Sequence, residues 1–230
     1  MLMNTSEIEV DIEDAYRYMG CRGSIPDNIK TELQNASGLI KKIIKPRVVK
    51  KICGIDRKDG LSLSGTCLRL EGRNVSALLH DCDICAIFCA TVGSEIEPLI
   101  RKWEIKDLAF ATMLDACASS AVESLCNNVE NEIFEEYSAK GCYLTDRFSP
   151  GYGDLPILIQ KDFCAALDTS RKIGVSVSES GIMIPRKSIT AIIGISSAEQ
   201  KHYASGCKDC QFILNCKYRE TGVTCYGQAV

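Results

Sequence analysis

The segment 146–160, DRFSPGYGDLPILIQ, combines residue types that can bind a small ligand. Gly151 and Gly153 favour a tight turn in which the backbone can approach a ligand closely. Arg147 offers a planar guanidinium suited to a carboxylate, and Tyr152 offers an aromatic face for a heterocycle or for a cation such as a sulfonium. The segment therefore indicates a site for a small zwitterion, although an ordinary turn with one surface arginine fits the same spacing equally well.

A second group of potential ligands is the cysteine-rich tail, GCKDCQFILNCKYR. Cys207, Cys210 and Cys216 have the short spacing with which thiolates bind a tetrahedral zinc ion or three irons of a four-iron cluster. A fourth ligand has to come from Cys225, from elsewhere in the chain or from outside. An iron-sulfur cluster, a zinc ion, and loose thiols or a redox pair all stay open as interpretations of this tail.

The remaining cysteines favour packing over ligation. The chain has fourteen cysteines, and its polar, acidic N-terminus has no pattern of a signal peptide, which favours a reducing cytoplasm over a disulfide framework. Cys117 and Cys126 lie among apolar neighbours, as small core residues do. Cys82, Cys85 and Cys89 have ligand-like spacing, but they lie in the apolar run LLHDCDICAIFCATVG, so we predict that they belong to the core.

Composition and missing motifs narrow the function classes. The net charge is -3 and the basic residues form no stripe, so nucleic acid is a poor candidate partner. No apolar run reaches the length of a membrane span. The chain has no phosphate-binding loop, no H-E-x-x-H and no G-x-S-x-G, and its two histidines, His80 and His202, leave a catalytic triad without a convincing base.

The elements that must position these residues alternate between helical and strand patterns. Residues 12–19, 94–104, 106–137 and 158–167 have helical spacing of apolar residues, and Asp27 is predicted to cap a further helix that Pro46 ends. Alternating or β-branched runs predict strands at 48–55, 61–70, 174–184 and 188–196. Residues 76–92 fit either a buried helix or a helix followed by a strand. We therefore expect one α+β domain over 1–205 and a separate tail over 206–230.

The string RFSPGY, from Arg147 to Tyr152, resembles the R-x-x-x-G-Y signature of the activation domain of cobalamin-dependent methionine synthase, the module that binds S-adenosylmethionine. The segments that follow, DLPILIQ, a helix and GVSVSESGIMIPRKSITAIIG, come in that family's order. The resemblance covers the second half of the predicted domain well and the first half weakly. It implies a twisted, mainly antiparallel sheet flanked by helices.

The resemblance also implies roles for individual residues. Arg147 matches the arginine that grips the methionine carboxylate, and Ser149 and Gly151 match positions whose backbone lines the adenosine pocket. Tyr152 matches the tyrosine beside the sulfonium end and is the candidate catalytic residue. Glu123 resembles a glutamate on the family's long helix that contacts the ligand, although a solvated helix carboxylate is an alternative for this residue.

Two departures from the family pattern predict a more open pocket. Gly141 and Cys142 replace a region with a second acidic residue, and IGISSAEQKH replaces a region with an aromatic pair. Nothing in the chain resembles the modules that bind cobalamin, zinc with homocysteine, or folate. The resemblance therefore implies a free-standing activation domain whose partners are a cobalamin-binding methionine synthase or other corrinoid protein and an electron donor.

Two functions from different classes follow. In the first, the protein binds S-adenosylmethionine and supports reductive remethylation of cobalamin on a separate protein. In the second, an iron-sulfur or zinc redox protein donates electrons to a corrinoid protein and the pocket is vestigial. Binding of S-adenosylmethionine separates the two.

Overall fold

A six-stranded antiparallel sheet separates two helical layers in the computed structural model, which describes residues 8–200. The strand order is β3-β2-β1-β4-β8-β5, and every neighbouring pair is antiparallel. The strands are β1 (Arg47–Asp56), β2 (Leu61–Leu63), β3 (Arg69–Leu70), β4 (Ile84–Thr91), β5 (Tyr143–Leu144) and β8 (Ser188–Ser196); β6 (Ser176–Val177) and β7 (Met183–Ile184) form a separate hairpin.

The helices divide between the two faces of the sheet. They are α1 (Ile12–Tyr18), α2 (Asp27–Ile43), α3 (Arg73–Leu78), α4 (Ile96–Lys106), α5 (Leu108–Ser138), α6 (Gln160–Leu167) and α7 (Thr169–Ile173), with a 3-10 turn at Ile157–Ile159. Side chains of α1, α2, α4 and α5 share one apolar cluster. Side chains of α3, α6 and α7 share the other.

β4 is buried on both faces because it lies between β1 and β8 at the centre of the sheet. Ala86, Phe88 and Ala90 face the α5 side, whereas Cys85 and Cys89 face the α6 side. This two-sided burial explains the continuous apolar run of the sequence, which hides the strand periodicity. Of the two readings left open for residues 76–92, a helix followed by a strand is the observed one.

α5 is the central helix of the larger cluster. It begins at Leu108, two residues later than predicted, because Asp107 leaves the helical conformation and its carboxylate accepts a hydrogen bond from the N–H of Phe110, at 3.1 Å. α5 is long and apolar enough to cross a membrane, yet most of its apolar stretch is buried inside the protein. Its hydropathy is therefore that of a core helix.

Three further local predictions need correction. The predicted strand over 61–70 is two short strands, β2 and β3, joined by a turn. Asp27 is the first helical residue of α2, and Pro26 holds the capping position without a side-chain hydrogen bond. The predicted strand over 174–184 is interrupted by a turn, in which Ser178 N–H donates to Ile182 O at 2.9 Å and Ile182 N–H donates to Ser178 Oγ at 3.0 Å. The short elements β5 and α7 were not predicted.

The predicted fold class, α+β with a mainly antiparallel sheet flanked by helices, is confirmed. Cys207, Cys210 and Cys216 lie outside the described residues, as do His202 and the predicted boundary between 205 and 206. Their metal site therefore stays a prediction.

Candidate functional site

Arg147 lies on a segment that runs antiparallel beside β8, as a continuation of β5. Thr145 N–H donates to Gly194 O at 3.0 Å, and Gly194 N–H donates to the Thr145 hydroxyl at 2.8 Å. Phe148 and Ile192 then exchange both backbone hydrogen bonds, at 3.0 and 2.8 Å. The backbone on both sides of Arg147 is thus fixed to a central strand.

The side chain of Arg147 reaches three polar residues of α5. Its Nη2 donates to Glu123 Oε2 at 2.6 Å, and its Nη1 lies 3.1 Å from Asn127 Oδ1 and 3.5 Å from Glu130 Oε2. Spacings of four and seven residues place these partners on one helix face. The arginine side chain is only 20% exposed, so these charges interact in partly desolvated surroundings.

The chain turns over residues 147–157, here called the Arg147 turn, and this turn depends on Gly151. Its φ of +89° is a conformation that favours glycine, and its N–H donates to Leu155 O at 2.9 Å. Tyr152 N–H donates to Ser149 O at 3.0 Å and completes the turn. A Cβ at Gly151 would lie 3.2 Å from Ile157 Cδ1, so Gly151 packs closely against the Ile157 side chain.

Asp154 attaches this turn to the start of α3. Its carboxylate accepts hydrogen bonds from Arg73 N–H at 2.6 Å and Asn74 N–H at 3.0 Å, and Asn74 Oδ1 accepts from Asp154 N–H at 3.2 Å. The backbone hydrogen bonds from Asn74 and Arg73 lower the pKa of Asp154. Asp154 therefore connects this turn to an element from the other half of the chain.

A cavity of about 210 Å³, here called the Arg147 cavity, lies between this turn, α5 and the start of β8. Both charged residues of its wall, Glu123 and Arg147, come from the network described above. The remaining wall is neutral. It is formed by Ser149, Pro150, Tyr152, Ile157, Gln160, Gly181, Met183, Ser188, Ile189 and Thr190.

Four of the five residues predicted for the ligand site line this cavity: Glu123, Arg147, Ser149 and Tyr152. Gly151 is not among the wall residues, but it packs against Ile157, which is one of them. Tyr152 is 54% exposed, and its ring meets the Phe148 ring edge-on, with the centroids 6.2 Å apart. The Tyr152 ring therefore stands at the mouth of the cavity.

Sequence reasoning missed the polar partners of Arg147 and the wall contributed by β8. Asn127 and Glu130 had a usable signal, because with Glu123 they form a polar stripe at helical spacing on one face of α5. Thr190 had none, since a threonine in a strand is ordinary.

Two hydroxyl-bearing residues from one face of β8 line the cavity, and their hydroxyl groups differ in their hydrogen bonds. Ser188 Oγ lies 2.7 Å from Pro185 O and 2.8 Å from Thr91 Oγ1. Thr190 is only 2% exposed, and its Oγ1 has no hydrogen-bond partner among residues 8–200. Of these two hydroxyl groups, only that of Ser188 forms hydrogen bonds within residues 8–200.

Tyr18 brings α1 into the neighbourhood of the site. Its side chain is 51% exposed. Burial nevertheless raises the pKa of the Tyr18 phenol to about 12, and the nearby Glu123 and Tyr152 contribute in the same direction. Tyr18 therefore stays a neutral hydroxyl at physiological pH.

The cysteines with ligand-like spacing are part of the core. Cys82, Cys85 and Cys89 are buried, and burial raises the pKa of Cys82 to about 11. No group of three potential metal ligands occurs within residues 8–200. His80 is at the surface, where its Nδ1 lies 2.6 Å from a carboxylate oxygen of Asp81.

A solved structure shares this fold across most of the chain. It is described as the crystal structure of the MetH reactivation domain bound to AdoHcy. The TM-score is 0.62 at 15% sequence identity, and the match covers 88% of this chain and 79% of that one. A comparison with curated proteins gives no match.

A family model described as "Vitamin B12 dependent methionine synthase, activation domain" matches residues 76–211. This match spans more than half of the chain and includes α5, the Arg147 turn and β8. The chain therefore belongs to the family of activation domains of vitamin B12-dependent methionine synthases.

Proposed function

We propose that this protein binds S-adenosylmethionine in the Arg147 cavity and supports the reductive remethylation of cobalamin held by a separate methionine synthase or other corrinoid protein. Family membership supports the proposal, as does the AdoHcy named for the structural relative, since AdoHcy is S-adenosylmethionine without its transferable methyl group. The observation that carries it is the ion pair of Arg147 and Glu123 on the cavity wall.

This ion pair suits the amino-acid end of the ligand. A zwitterion carries one carboxylate and one ammonium group, so it can form a charge-assisted pair with each of Arg147 and Glu123. Glu130 lies 3.5 Å from the same guanidinium and adds a second carboxylate to one positive charge. The resulting excess of negative charge complements S-adenosylmethionine, whose sulfonium leaves it with a net positive charge.

The size of the cavity suits a ligand that is only partly enclosed. Pockets that bury a drug-sized ligand usually have about 300–1,000 Å³, and this cavity has about 210 Å³. Part of the ligand therefore extends past Tyr152 toward solvent. Partial enclosure is useful here, because the methyl group has to be reached by a corrinoid on another protein.

An apolar rim beside the cavity supports docking of that partner. Tyr152, Ile157, Ile182 and Ile184 are each about half exposed, on the Arg147 turn and on the β6–β7 hairpin. The two segments touch, since a Cβ at Gly181 would lie 3.1 Å from Ile157 O. Such a patch favours burial against another surface.

The protein contributes orientation and electrostatics to this reaction. Arg147 and Glu123 hold the amino-acid end, Ser149 and the Gly151 turn shape the adenosine side, and Tyr152 orients the sulfonium end at the mouth. When bound, S-adenosylmethionine supplies an electrophilic methyl group for reduced cobalt on the partner. We place this reaction in the cytoplasm, with electrons from a separate donor or from a cluster bound by the tail.

Transfer of labelled methyl groups tests this function. The protein is mixed with a cobalamin-bound methionine synthase that lacks its own activation domain, a reductant and S-adenosylmethionine with a labelled methyl group. We expect label on cobalamin with the wild-type protein and little with Arg147→Ala. Label that appears equally without the protein would contradict the function, and omission of the reductant serves as the control for the electron requirement.

The alternative of a redox protein with a vestigial pocket has no support from the described residues. The three tail cysteines on which it depends lie outside residues 8–200. The Arg147 turn, in contrast, keeps its charged residues, its backbone hydrogen bonds and a cavity.

A further inference from the structure

Thr190 lines the Arg147 cavity, and its buried hydroxyl is an unsatisfied polar group. Thr190 is 2% exposed, and its Oγ1 has no hydrogen-bond partner within the described part of the chain. A buried hydroxyl without a partner destabilises a protein, because its hydrogen bonds to water are lost and nothing replaces them. Such a group in a ligand cavity invites the explanation that the ligand supplies the missing partner.

The neighbours of Thr190 are already engaged. Ser188, two residues earlier on the same strand face, uses its hydroxyl on Pro185 O and Thr91 Oγ1. Cys89 lies directly across on β4 and interacts with Cys164. The surroundings of Thr190 therefore offer no obvious replacement for the missing hydrogen bond.

The charges of the cavity indicate which part of a ligand Thr190 meets. A charged ligand group in a partly desolvated site needs a counter-charge, and Arg147 and Glu123 provide both signs. Because these two residues already pair both charged groups of the amino-acid end, the Thr190 hydroxyl is left for a neutral donor or acceptor. In S-adenosylmethionine, neutral polar groups belong to the nucleoside.

The geometry points to Thr190 as a specificity-determining residue that hydrogen-bonds a neutral polar group of the nucleoside part of the bound ligand. This inference rests on the proposed function, because it takes the Arg147 cavity as the ligand site. It assigns to β8 a direct role in recognition, next to the roles of α5 and the Arg147 turn. The Thr190 hydroxyl then has its partner only in the complex.

This role has opposite consequences for the free protein and for the complex. Thr190→Val keeps the shape of the side chain and removes the hydroxyl. The ligand-free variant should unfold at a temperature equal to or above that of the wild type, since an unpaired buried polar group is gone. Affinity should fall by about 5- to 100-fold, because a polar group of the ligand is then left unpaired.

Three variants and two ligands test the inference. Thr190→Val and Thr190→Ser are compared by calorimetric titration with S-adenosylmethionine and with AdoHcy, and by thermal unfolding without ligand. Thr169→Val is the matched control, because Thr169 is equally buried, lies outside the cavity and donates its hydroxyl to Val175 O at 2.7 Å. It should lower the unfolding temperature and leave both affinities unchanged.

The inference expects Thr190→Ser to bind like the wild type and Thr190→Val to lose affinity for both ligands by a similar factor, since both contain the nucleoside. Unchanged affinity of Thr190→Val would overturn it, as would a loss confined to S-adenosylmethionine or an unfolding temperature lowered as far as in Thr169→Val. A wild-type protein that binds neither ligand would instead remove the proposed function and this inference with it.

Discussion

The guanidinium of Arg147 donates a 2.6 Å hydrogen bond to Glu123, a residue 24 positions earlier in the chain, and both side chains line one cavity. Without a ligand, these two charges therefore pair with each other, while the Glu130 carboxylate, 3.5 Å from the same guanidinium, keeps the group net negative. A zwitterion can exchange partners with this pair and leave no charge unpaired. Under the proposed function, the same pair supplies both charges for binding of the ligand.

Substitution of Gly151 should damage the cavity through Ile157. In Gly151→Val the new Cβ lies 3.2 Å from Ile157 Cδ1, and we expect the displaced Ile157 to narrow the cavity and weaken binding of S-adenosylmethionine. A valine at positive φ should also cost about 1–2 kcal/mol of folding free energy. Calorimetry gives the affinity, and denaturant unfolding gives the stability.

Gly141→Val is the control for this strain. Gly141 has a φ of +73° and no atom within 4 Å of its hypothetical Cβ. The Gly141→Val protein should lose a similar amount of folding free energy and bind S-adenosylmethionine with the affinity of the wild type. Equal affinities in the two variants would show that the Gly151 turn does not shape the ligand site.

Tyr152→Phe should separate binding from methyl transfer. Tyr152 is 54% exposed at the mouth of the cavity, so loss of its hydroxyl should change the Kd for S-adenosylmethionine by no more than about twofold. Its effect should appear in the rate of methyl transfer to a corrinoid protein. Tyr143→Phe, on β5 outside the cavity, is the control, and a Tyr152→Phe protein with normal transfer would remove Tyr152 as the catalytic candidate.

Asp154 should make stability depend on acid pH. Its pKa in the folded protein is lower than the usual 3.8, because the backbone N–H groups of Asn74 and Arg73 bind the ionised carboxylate. A carboxylate with a lowered pKa stabilises the fold at pH values above its pKa in the unfolded chain. This contribution is lost as the pH falls through the pKa of the carboxylate in the folded protein. Thermal unfolding between pH 7 and pH 2 measures the contribution.

Asp154→Asn should therefore be less stable than the wild type at pH 7, and the difference should shrink below about pH 4. Asp59→Asn, in an exposed turn, is the control and should show no such convergence. A difference between Asp154→Asn and the wild type that stays constant down to pH 2 would contradict the role of the carboxylate charge.

Local patterns in the sequence were sufficient for much of this fold. The apolar stripe of α5 indicated its buried face and nearly its length, and the RFSPGY string marked the position of the Arg147 turn. These features depend on residues that lie close together in the chain. Helix ends were predicted less accurately than helix interiors. One or two side chains, such as those of Asp107 and Asp27, decide where a helix begins.

Contacts between distant segments could not be predicted. Phe148 pairs with Ile192, and Asp154 binds the start of α3, yet neither residue type signals a partner. The two-residue strand β5 forms only because β8 is beside it. Thr190 is a further case, since its meaning depends on a missing hydrogen bond rather than on its type.

The tail should bind an oxygen-sensitive iron-sulfur cluster when the protein is made without air. Cys207, Cys210 and Cys216 have suitable spacing in a polar segment, and a cluster there would supply an electron beside the methyl donor. Iron and acid-labile sulfide analysis with visible spectra on anaerobically purified protein checks this, with Cys207→Ser as the comparison. Colourless protein with stoichiometric zinc would replace the electron-transfer role by a structural one.

The central claim is that Arg147 anchors S-adenosylmethionine, and calorimetric titration of wild-type protein and Arg147→Ala tests it most directly. We expect one site in the wild type and a loss of about 1.5–3 kcal/mol in the variant, or about 10- to 100-fold in Kd. Arg147→Lys should recover only part of the lost affinity, because lysine lacks the planar guanidinium group. Lys140→Ala, which breaks an exposed pair with Glu136, should bind as the wild type does. No binding by the wild type, or equal Kd values for wild type and Arg147→Ala, would contradict the account.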